Sequence, residues 1–251
     1  VKRFYLNIDF SLGQIINFSN EIVRHMHVVR VKIGELIEIF DGNNNSCQGE
    51  VLSLDRRNAT LKIIQKNLPS PLPFAQISLA IGLIANDKMD LIIQKAVELG
   101  VNNIIPLHSE YSGRLTHDRS ANKLAHWQNI IISSCCQCGQ NLLPTIALPI
   151  SIDSLYKKTE YDIKVIMNVP KPDSRLLQSC VRGNENWLWN DGRSVILLVG
   201  PEGGFSEVET KQATLHGYQS LQLGNLIMRA ETAAISGISI LNLYLKKWIV
   251  L

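Results

Sequence analysis

Ser194-Val195-Ile196-Leu197-Leu198-Val199 runs straight into Gly200-Pro201-Glu202-Gly203-Gly204-Phe205. An apolar run this short fits a strand buried on both faces of a parallel sheet. Ser206 with Glu209 three places on reads as a capping box, so a helix opens directly after the glycines. A glycine-rich loop is therefore predicted to leave the C-terminal end of a core strand, where open α/β sheets hold their ligands. Leu223-Gly224-Asn225-Leu226-Ile227-Met228-Arg229-Ala230-Glu231-Thr232-Ala233-Ala234 repeats the plan: a short strand, a glycine loop, and a helix starting near Ala230.

The first loop follows neither common nucleotide fingerprint. It lacks the Gly-x-Gly-x-x-Gly order, and it lacks the Gly-Lys-Ser/Thr ending of a P-loop. Glu202 in its centre puts an anion where a phosphate nest needs donors. A neutral or cationic ligand suits it better. A plain strand-to-helix turn accounts for the first segment alone as readily; the two segments in this order are more specific.

Upstream, the chain divides at Lys66-Asn67-Leu68-Pro69-Ser70-Pro71-Leu72-Pro73, where alternate prolines make a stiff extended linker. The part before it, residues 1–70, reads as mostly β. Ser19 is placed to cap a helix from Asn20 to Val29. Leu36 to Phe40, Cys47 to Leu54 and Ala59 to Gln65 are strand-like, and Asp41-Gly42-Asn43-Asn44-Asn45 is a turn. The part after it, residues 74–251, alternates apolar strands with helices and is predicted to be α/β with a parallel sheet. Its strands are Ile77 to Leu83, Ile104 to Leu107, Ile163 to Met167 and Val195 to Val199. Its helices are Asp87 to Leu99, with Met89, Ile92, Ile93, Ala96 and Val97 on one face and Gly100 as the stop, and Asp118 to Cys138.

The formal charge of +3 permits a local nucleic-acid-binding patch without demanding one. Five cysteines without a pairing framework point to a reducing compartment, hence a cytoplasmic protein. Cys135, Cys136 and Cys138 lack the second ligand pair that zinc sites use, so no metal is expected and small helix residues are preferred. Val1-Lys2-Arg3-Phe4-Tyr5-Leu6 has no apolar core of a signal peptide. The apolar run from Thr232 to Leu245 is short and broken by Ser236, Ser239 and Asn242, which suits a buried or interface helix and not a membrane span.

Gly200 to Glu209 and Leu223 to Ala234 resemble the signature of the SPOUT methyltransferases, and within them the family of ribosomal RNA small subunit methyltransferase E. Gln94-Lys95-Ala96-Val97-Glu98-Leu99-Gly100-Val101 is similar to that family's "Q-K-x-x-E-L-G-V" helix. Pro106-Leu107-His108-Ser109-Glu110 is similar to its "P-x-x-S-E-R" strand end. Trp127 and Gln137-Cys138-Gly139 fit its "W-x-x-I…E-Q-x-G-R" helix. Arg3-Phe4-Tyr5, Val28-Val29-Arg30 and Phe40-Asp41-Gly42 fit its "R-x-F", "V-L-R" and "F-D-G". The chain departs where the family has a Glu (here Cys136), two arginines (here Gln140 and Leu226) and a His (here Arg24, beside His25 and His27). These departures fall on basic and acidic positions and spare the glycine loops.

The resemblance implies a PUA-like β-barrel followed by a SPOUT α/β domain with a trefoil knot, paired as a homodimer. Sequence rules alone predict an unknotted doubly wound sheet. The implied activity is methylation of N3 of a uridine in 16S rRNA, with S-adenosylmethionine as cofactor and the small ribosomal subunit or its RNA as partner. The residues implied to hold the cofactor are Gly200, Pro201, Glu202, Gly203 and Gly204, then Leu223, Gly224 and Asn225, then Ile227, Met228, Arg229 and Thr232. Leu198, Val199, Leu223, Ile227 and Met228 suit an apolar slot for adenine. Asn168, at a strand end, lines the same pocket or serves as a turn residue. Loss of the imide proton calls for a base or for stabilisation of the anion. Arg229 is the first candidate for the uracil oxygens; its alternative is to bind a carboxylate such as Glu231. Glu202 and Glu231 are the candidate proton acceptors, with water as the alternative, and Glu231 also suits a helix's first turn.

Arg3, Arg24 and Arg30, with Lys32, His25 and His27 beside Phe4, Tyr5 and Phe40, read on sequence alone as a solvated face with core aromatics; the resemblance implies that they bind RNA instead, basic groups on phosphates and aromatics on bases. Ile238, Leu241 and Leu245 recur at helical spacing, and the resemblance implies that they face the second copy. His108, Ser109, Glu110 and Arg114 follow a strand end and edge the cleft; without a nucleophile elbow they do not make a hydrolase. Lys95 and Glu98 suit an intrahelical pair, or a dimer or active-site role. Two other functions stay open: a SPOUT enzyme acting on another base or a ribose 2′-hydroxyl, and a non-catalytic RNA-binding ribosome-assembly factor.

Overall fold

The computed structural model describes residues 1–18, 20–71, 75–113, 115, 117–158, 161–168 and 194–245. Ser19, Pro73, Arg114 and Cys180, all considered above, lie outside them. Two compact units emerge, Val1–Leu72 with Ile132–Leu143, and Pro73–Ile131 with Pro144–Leu251.

The first unit is a curled five-stranded sheet with the order β1-β3-β4-β5-β2. Its strands are β1 (Arg3–Tyr5), β2 (Ile15–Phe18), β3 (Leu36–Phe40), β4 (Ser46–Leu54) and β5 (Ala59–Lys66), and α1 is Asn20–Val28. β1 runs parallel to β3, and the other neighbours are antiparallel. Register shifts between Gln48 and Gly49 and between Val51 and Ser53 bend the long β4–β5 ribbon. A side chain at Gly49 would lie 2.3 Å from Leu61 Cδ2, so glycine lets the bend close over the core. That core gathers Phe4, Ile37, Ile39, Leu61 and Ile63 from strands with Val23 and Met26 from α1. Between β3 and β4, Asp41 Oδ1 accepts from the N–H groups of Asn43 (2.7 Å) and Asn45 (3.1 Å), an Asx-type turn. Burial pushes the Asp41 carboxyl up, but these donors and Asn45 Nδ2 outweigh it and hold it below the usual carboxylate range.

The second unit is a seven-stranded, wholly parallel sheet with the path β12-β10-β11-β6-β7-β8 and β9 paired to β7. In chain order its elements are β6 (Gln76–Gly82), α2 (Asn86–Glu98), β7 (Asn103–His108), α3 (His117–Cys138, whose residues from Ile132 on belong to the first unit), β8 (Thr145–Ile146), β9 (Ile150–Ser151), α4 (Ile152–Lys158), β10 (Ile163–Met167), β11 (Ser194–Val199), α5 (Glu207–Leu215), β12 (Gln219–Leu221) and α6 (Ala230–Tyr244). β11 is covered on both sides, as its unbroken apolar sequence requires. Ile196 and Leu198 pack with Leu155, Tyr156 and Ala213 from α4 and α5. Leu197 points the other way, where a side chain at Gly237 of α6 would come within 2.8 Å of its Cδ2. Glycine there lets α6 lie close on the sheet.

On α2, Met89, Ile92, Ile93, Ala96 and Val97 are buried as the periodicity predicts, and Gly100 follows at φ +75°. Lys95 pairs with Glu98 at 2.9 Å, the local account of that pair. One expectation changes. Ile238, Leu241 and Leu245, which the helical spacing offers to a second copy, are buried within the chain at 0%, 4% and 5% exposure. α6 packs on β6, β11 and α2. The exposed apolar residue late on α6 is Leu243.

Candidate functional site

At the C-terminal edge of β10 and β11 the two glycine loops enclose a cavity of about 670 Å³, within the range that holds nucleoside-sized ligands. Met167 comes from the end of β10 and Asn168 follows it, Val199 comes from β11, and Gly200, Pro201, Glu202, Gly203 and Gly204 from the first loop. Leu223, Leu226, Ile227, Met228 and Arg229 come from the second loop, Ala230 and Ala233 from α6, and Lys88 from α2. The sequence thus anticipates most of the lining. Leu198, Gly224, Asn225, Glu231 and Thr232 are not among the lining residues, and Leu198 is fully buried in the core. Lys88, Met167, Leu226, Ala230 and Ala233 line the cavity without having been assigned to it. Lys88 had a readable clue: its helix starts just beyond the C-terminal end of β6, the same edge of the sheet.

The glycines of the first loop serve the loop's own packing. Gly204 takes φ +71° and donates its N–H to Pro201 O at 2.8 Å, closing a turn. A Cβ at Gly200 would lie 2.9 Å from Gly204 C, one at Gly203 2.9 Å from Tyr111 Cβ, and one at Gly82 2.6 Å from Pro201 Cδ. Close backbone approach is needed, but here toward protein atoms. The capping box forms as read: Glu209 N–H donates to Ser206 Oγ (3.2 Å) and Ser206 N–H to Glu209 Oε2 (2.9 Å). Glu209 Oε1 also accepts the backbone N–H of Glu110 at 2.8 Å, which ties the loop after β7 to the start of α5. His108, Ser109 and Glu110 are not part of the cavity wall.

Glu202 accepts from Lys88 Nζ at 3.0 Å. Partial burial pushes its carboxyl up; the Lys88 hydrogen bond, backbone N–H groups and the ammonium charge together pull it below the usual range. A carboxylate so held is a weak proton acceptor at neutral pH. The hydrogen bond to Glu202 raises Lys88 above the ordinary lysine value, and Glu231 adds to the rise. Arg229 stands at the N-cap of α6 with extended backbone (φ −64°, ψ 155°) and no capping hydrogen bond from its side chain. Among the described residues it makes no ion pair, with Glu231 or any other carboxylate. Asn168 is held by two bonds to β12, from its N–H to Leu221 O (3.1 Å) and from Nδ2 to Ser220 Oγ (2.9 Å).

In the first unit Arg3 is turned inward. Its side chain is 10% exposed, donates to Asn141 Oδ1, lies 3.9 Å from Glu38 and sits 5.0 Å over the Phe40 ring. Arg24, His25, His27, Arg30 and Lys32 are exposed on and just after α1. Arg30 takes φ +56°. Burial pushes the Cys135 thiol up to about 12. No helix is long and apolar enough to cross a membrane among the described residues.

Residues 70–242 match the family described as RNA methyltransferase domain, and residues 18–64 that described as RNA methyltransferase PUA domain. Ribosomal RNA small subunit methyltransferase E of Buchnera aphidicola subsp. Schizaphis graminum is 34% identical over 97% of this chain and 96% of its own. The structure of the enzyme of that name from Neisseria gonorrhoeae, bound to S-adenosyl methionine, superposes with TM-score 0.85 at 32% identity, covering 96% of this chain and 97% of that one. A putative methyltransferase of Legionella pneumophila, in complex with its bound cofactor, superposes with TM-score 0.87 at 29% identity over 96% of each chain. With both halves matched and the similarity running nearly end to end, the chain belongs to the ribosomal RNA small subunit methyltransferase E family.

Proposed function

We propose that the protein is an S-adenosylmethionine-dependent methyltransferase that modifies N3 of a uridine in 16S rRNA. The observation that carries this reading is the cavity between the two glycine loops, in a chain about a third identical to relatives of that name. The residues fit the cofactor. Val199, Leu223, Ile227, Met228 and Ala233 offer apolar wall, and Glu202 offers an anion to a sulfonium. When bound, S-adenosylmethionine supplies an electrophilic methyl group. The chain's own part is to orient the base and stabilise charge. Arg229, with no ion pair among the described residues, is free to donate its guanidinium fork to uracil oxygens. Glu202, held ionised by Lys88, serves better as an electrostatic partner than as a base, so the imide proton leaves to water.

We assign the two tasks to residues 1–70 and residues 74–251. Residues 1–70 bind RNA through the exposed Arg24, Arg30, Lys32, His25 and His27; the inward position of Arg3 suits a fold-holding task. Residues 74–251 carry the methyltransferase. A homodimer, a trefoil knot in the second unit and a cytoplasmic location complete the reading. The knot is supported by the family match over residues 70–242. Nucleoside mass spectrometry of 16S rRNA from cells with and without the gene tests the function. Loss of 3-methyluridine in the deletion is expected; its persistence overturns the assignment, and loss of a 2′-O-methyl nucleoside instead points to ribose chemistry.

A further inference from the structure

We propose that Lys88 is a catalytic residue: its ammonium takes one carbonyl oxygen of the target uracil while Arg229 takes the other, and Glu202 anchors Lys88 for that contact. The inference rests on the uridine-N3 reading and extends it to a residue that reading does not use. A uracil imide presents N3–H between two carbonyl oxygens. When the N3–H bond breaks, the proton leaves to water and the electron pair stays on the ring, spread over N3 and both oxygens. The site that favours this step puts a cationic donor at each oxygen and leaves N3 itself uncovered.

Among the described residues, Lys88 and Arg229 are the two cations that line the cavity, and they reach it from different elements, α2 and the N-cap of α6. An ammonium has three donors, and Lys88 Nζ donates to Glu202 Oε1 at 3.0 Å. The Lys88 side chain is 31% exposed, so its remaining donors are within reach of a ligand. The contact to Glu202 raises Lys88's affinity for its proton and keeps it cationic. As a stability device the pair achieves little, because exposed ion pairs seldom do. The arrangement also selects its base. Cytosine carries an amine beside N3, which would set a donor against Lys88 or Arg229 and leave it unpaired, the kind of mismatch that discriminates strongly.

The test uses the full-length protein with Lys88→Met and Lys88→Arg, and small-subunit rRNA transcribed with uridine or with 5-fluorouridine, whose imide is more acidic. Single-turnover rates, S-adenosylmethionine affinity by calorimetry and melting temperature are measured for each. Lys88→Met is expected to slow uridine methylation about 100-fold. Lys88→Arg is expected to lose less than about tenfold, because the charge is kept. The defect of Lys88→Met should shrink by about tenfold on 5-fluorouridine RNA, which needs less help to ionise. Cofactor affinity and melting should stay as in the parent. An equal loss on both RNAs, a loss that follows cofactor affinity, or a full rate in Lys88→Met overturns the proposal. If Lys88→Met melts early, the same two-RNA comparison on Lys88→Arg decides, equal loss again overturning it. A parent protein that makes no 3-methyluridine on uridine RNA removes the underlying reading, a result distinct from a failure of Lys88 alone.

Discussion

The two loops that face each other across the cavity are built on opposite principles. The first, Gly200 to Gly204, is fixed by protein. Gly200 and Pro201 are buried, Gly204 closes a turn on Pro201, and Gly203 packs against Tyr111. The second, Leu223 to Arg229, stands out from the protein. Leu226 and Ile227 are 80% and 75% exposed, and a Cβ at Gly224 would meet nothing within 4 Å. Gln222 Nε2, just before the loop, donates to Gly224 O at 3.1 Å. Two adjacent large apolar side chains left in water at a cavity mouth mark a binding surface. The first wall is preformed; a ligand that covered the second would add packing there, at about 25 cal/mol per Å² of apolar area.

Arg229, at the end of the adaptable loop, gives the largest expected effect. Arg229→Ala should lower the turnover rate by about 100-fold or more, with S-adenosylmethionine affinity changed by less than about threefold, because its contact strengthens as charge develops. Steady-state kinetics beside calorimetry checks this. A loss confined to cofactor affinity would assign the guanidinium to the cofactor and erase the functional difference between the loops.

The glycines separate the loops more directly. Gly203→Val should cut cofactor affinity by about tenfold or more, since the new side chain meets Tyr111 Cβ and must displace the wall. Adding Tyr111→Ala should recover part of that affinity. Gly224→Ala meets no neighbour and suffers only its φ of +70°, about 1–2 kcal/mol of strain. Calorimetry that ranked Gly224→Ala as the more damaging of the two would reverse the comparison.

The preformed loop was also the more legible one. Its strand, its glycines and its cap lie within a dozen or so neighbouring residues, and each obeys a local rule: a buried apolar run, a turn, a capping box. Lys88 was missed because it enters the site through a tertiary contact with Glu202, far away in the chain. β1 and β2 were missed for a similar reason. They are short edge strands, and their pairing with β3 and β5 is set by partners remote in sequence. The burial of Ile238 and Leu241 was legible as an apolar helical stripe, but periodicity does not say whether a stripe meets its own sheet or a second copy. Arg3 illustrates the converse: a basic residue beside aromatics reads as an RNA contact, whereas its partners Glu38, Phe40 and Asn141 come together only in the fold.

A smaller effect tests the anchoring of the first loop from its far side. Ser206→Ala removes the acceptor for Glu209 N–H and loosens Glu209, whose other oxygen holds Glu110. The loss should be about 1 kcal/mol of stability, read as a lower midpoint in urea. If cofactor affinity falls with it, the fixed wall depends on that cap; if affinity stays, the wall is held by Pro201 and Gly82 alone.

The smallest expected effect concerns Leu226. The family pattern has an arginine at this place in the second loop, and here an exposed leucine stands on the rim of the cavity. An arginine binds RNA phosphate and releases counterions, which gives affinity that fades with salt; a leucine gains by covering apolar surface, which salt does not weaken. Leu226→Arg should therefore tighten rRNA binding about threefold at low salt and steepen the dependence of log affinity on log salt by just under 1. At 80% exposure the side chain packs on little, so melting should move by less than about 0.5 kcal/mol equivalent. Fluorescence anisotropy with a labelled rRNA fragment across a salt series measures both affinity and slope. An unchanged slope would mean that position 226 does not face phosphate. The exposed apolar pair would then belong to the cofactor side of the cavity, and the second loop would share the first loop's task.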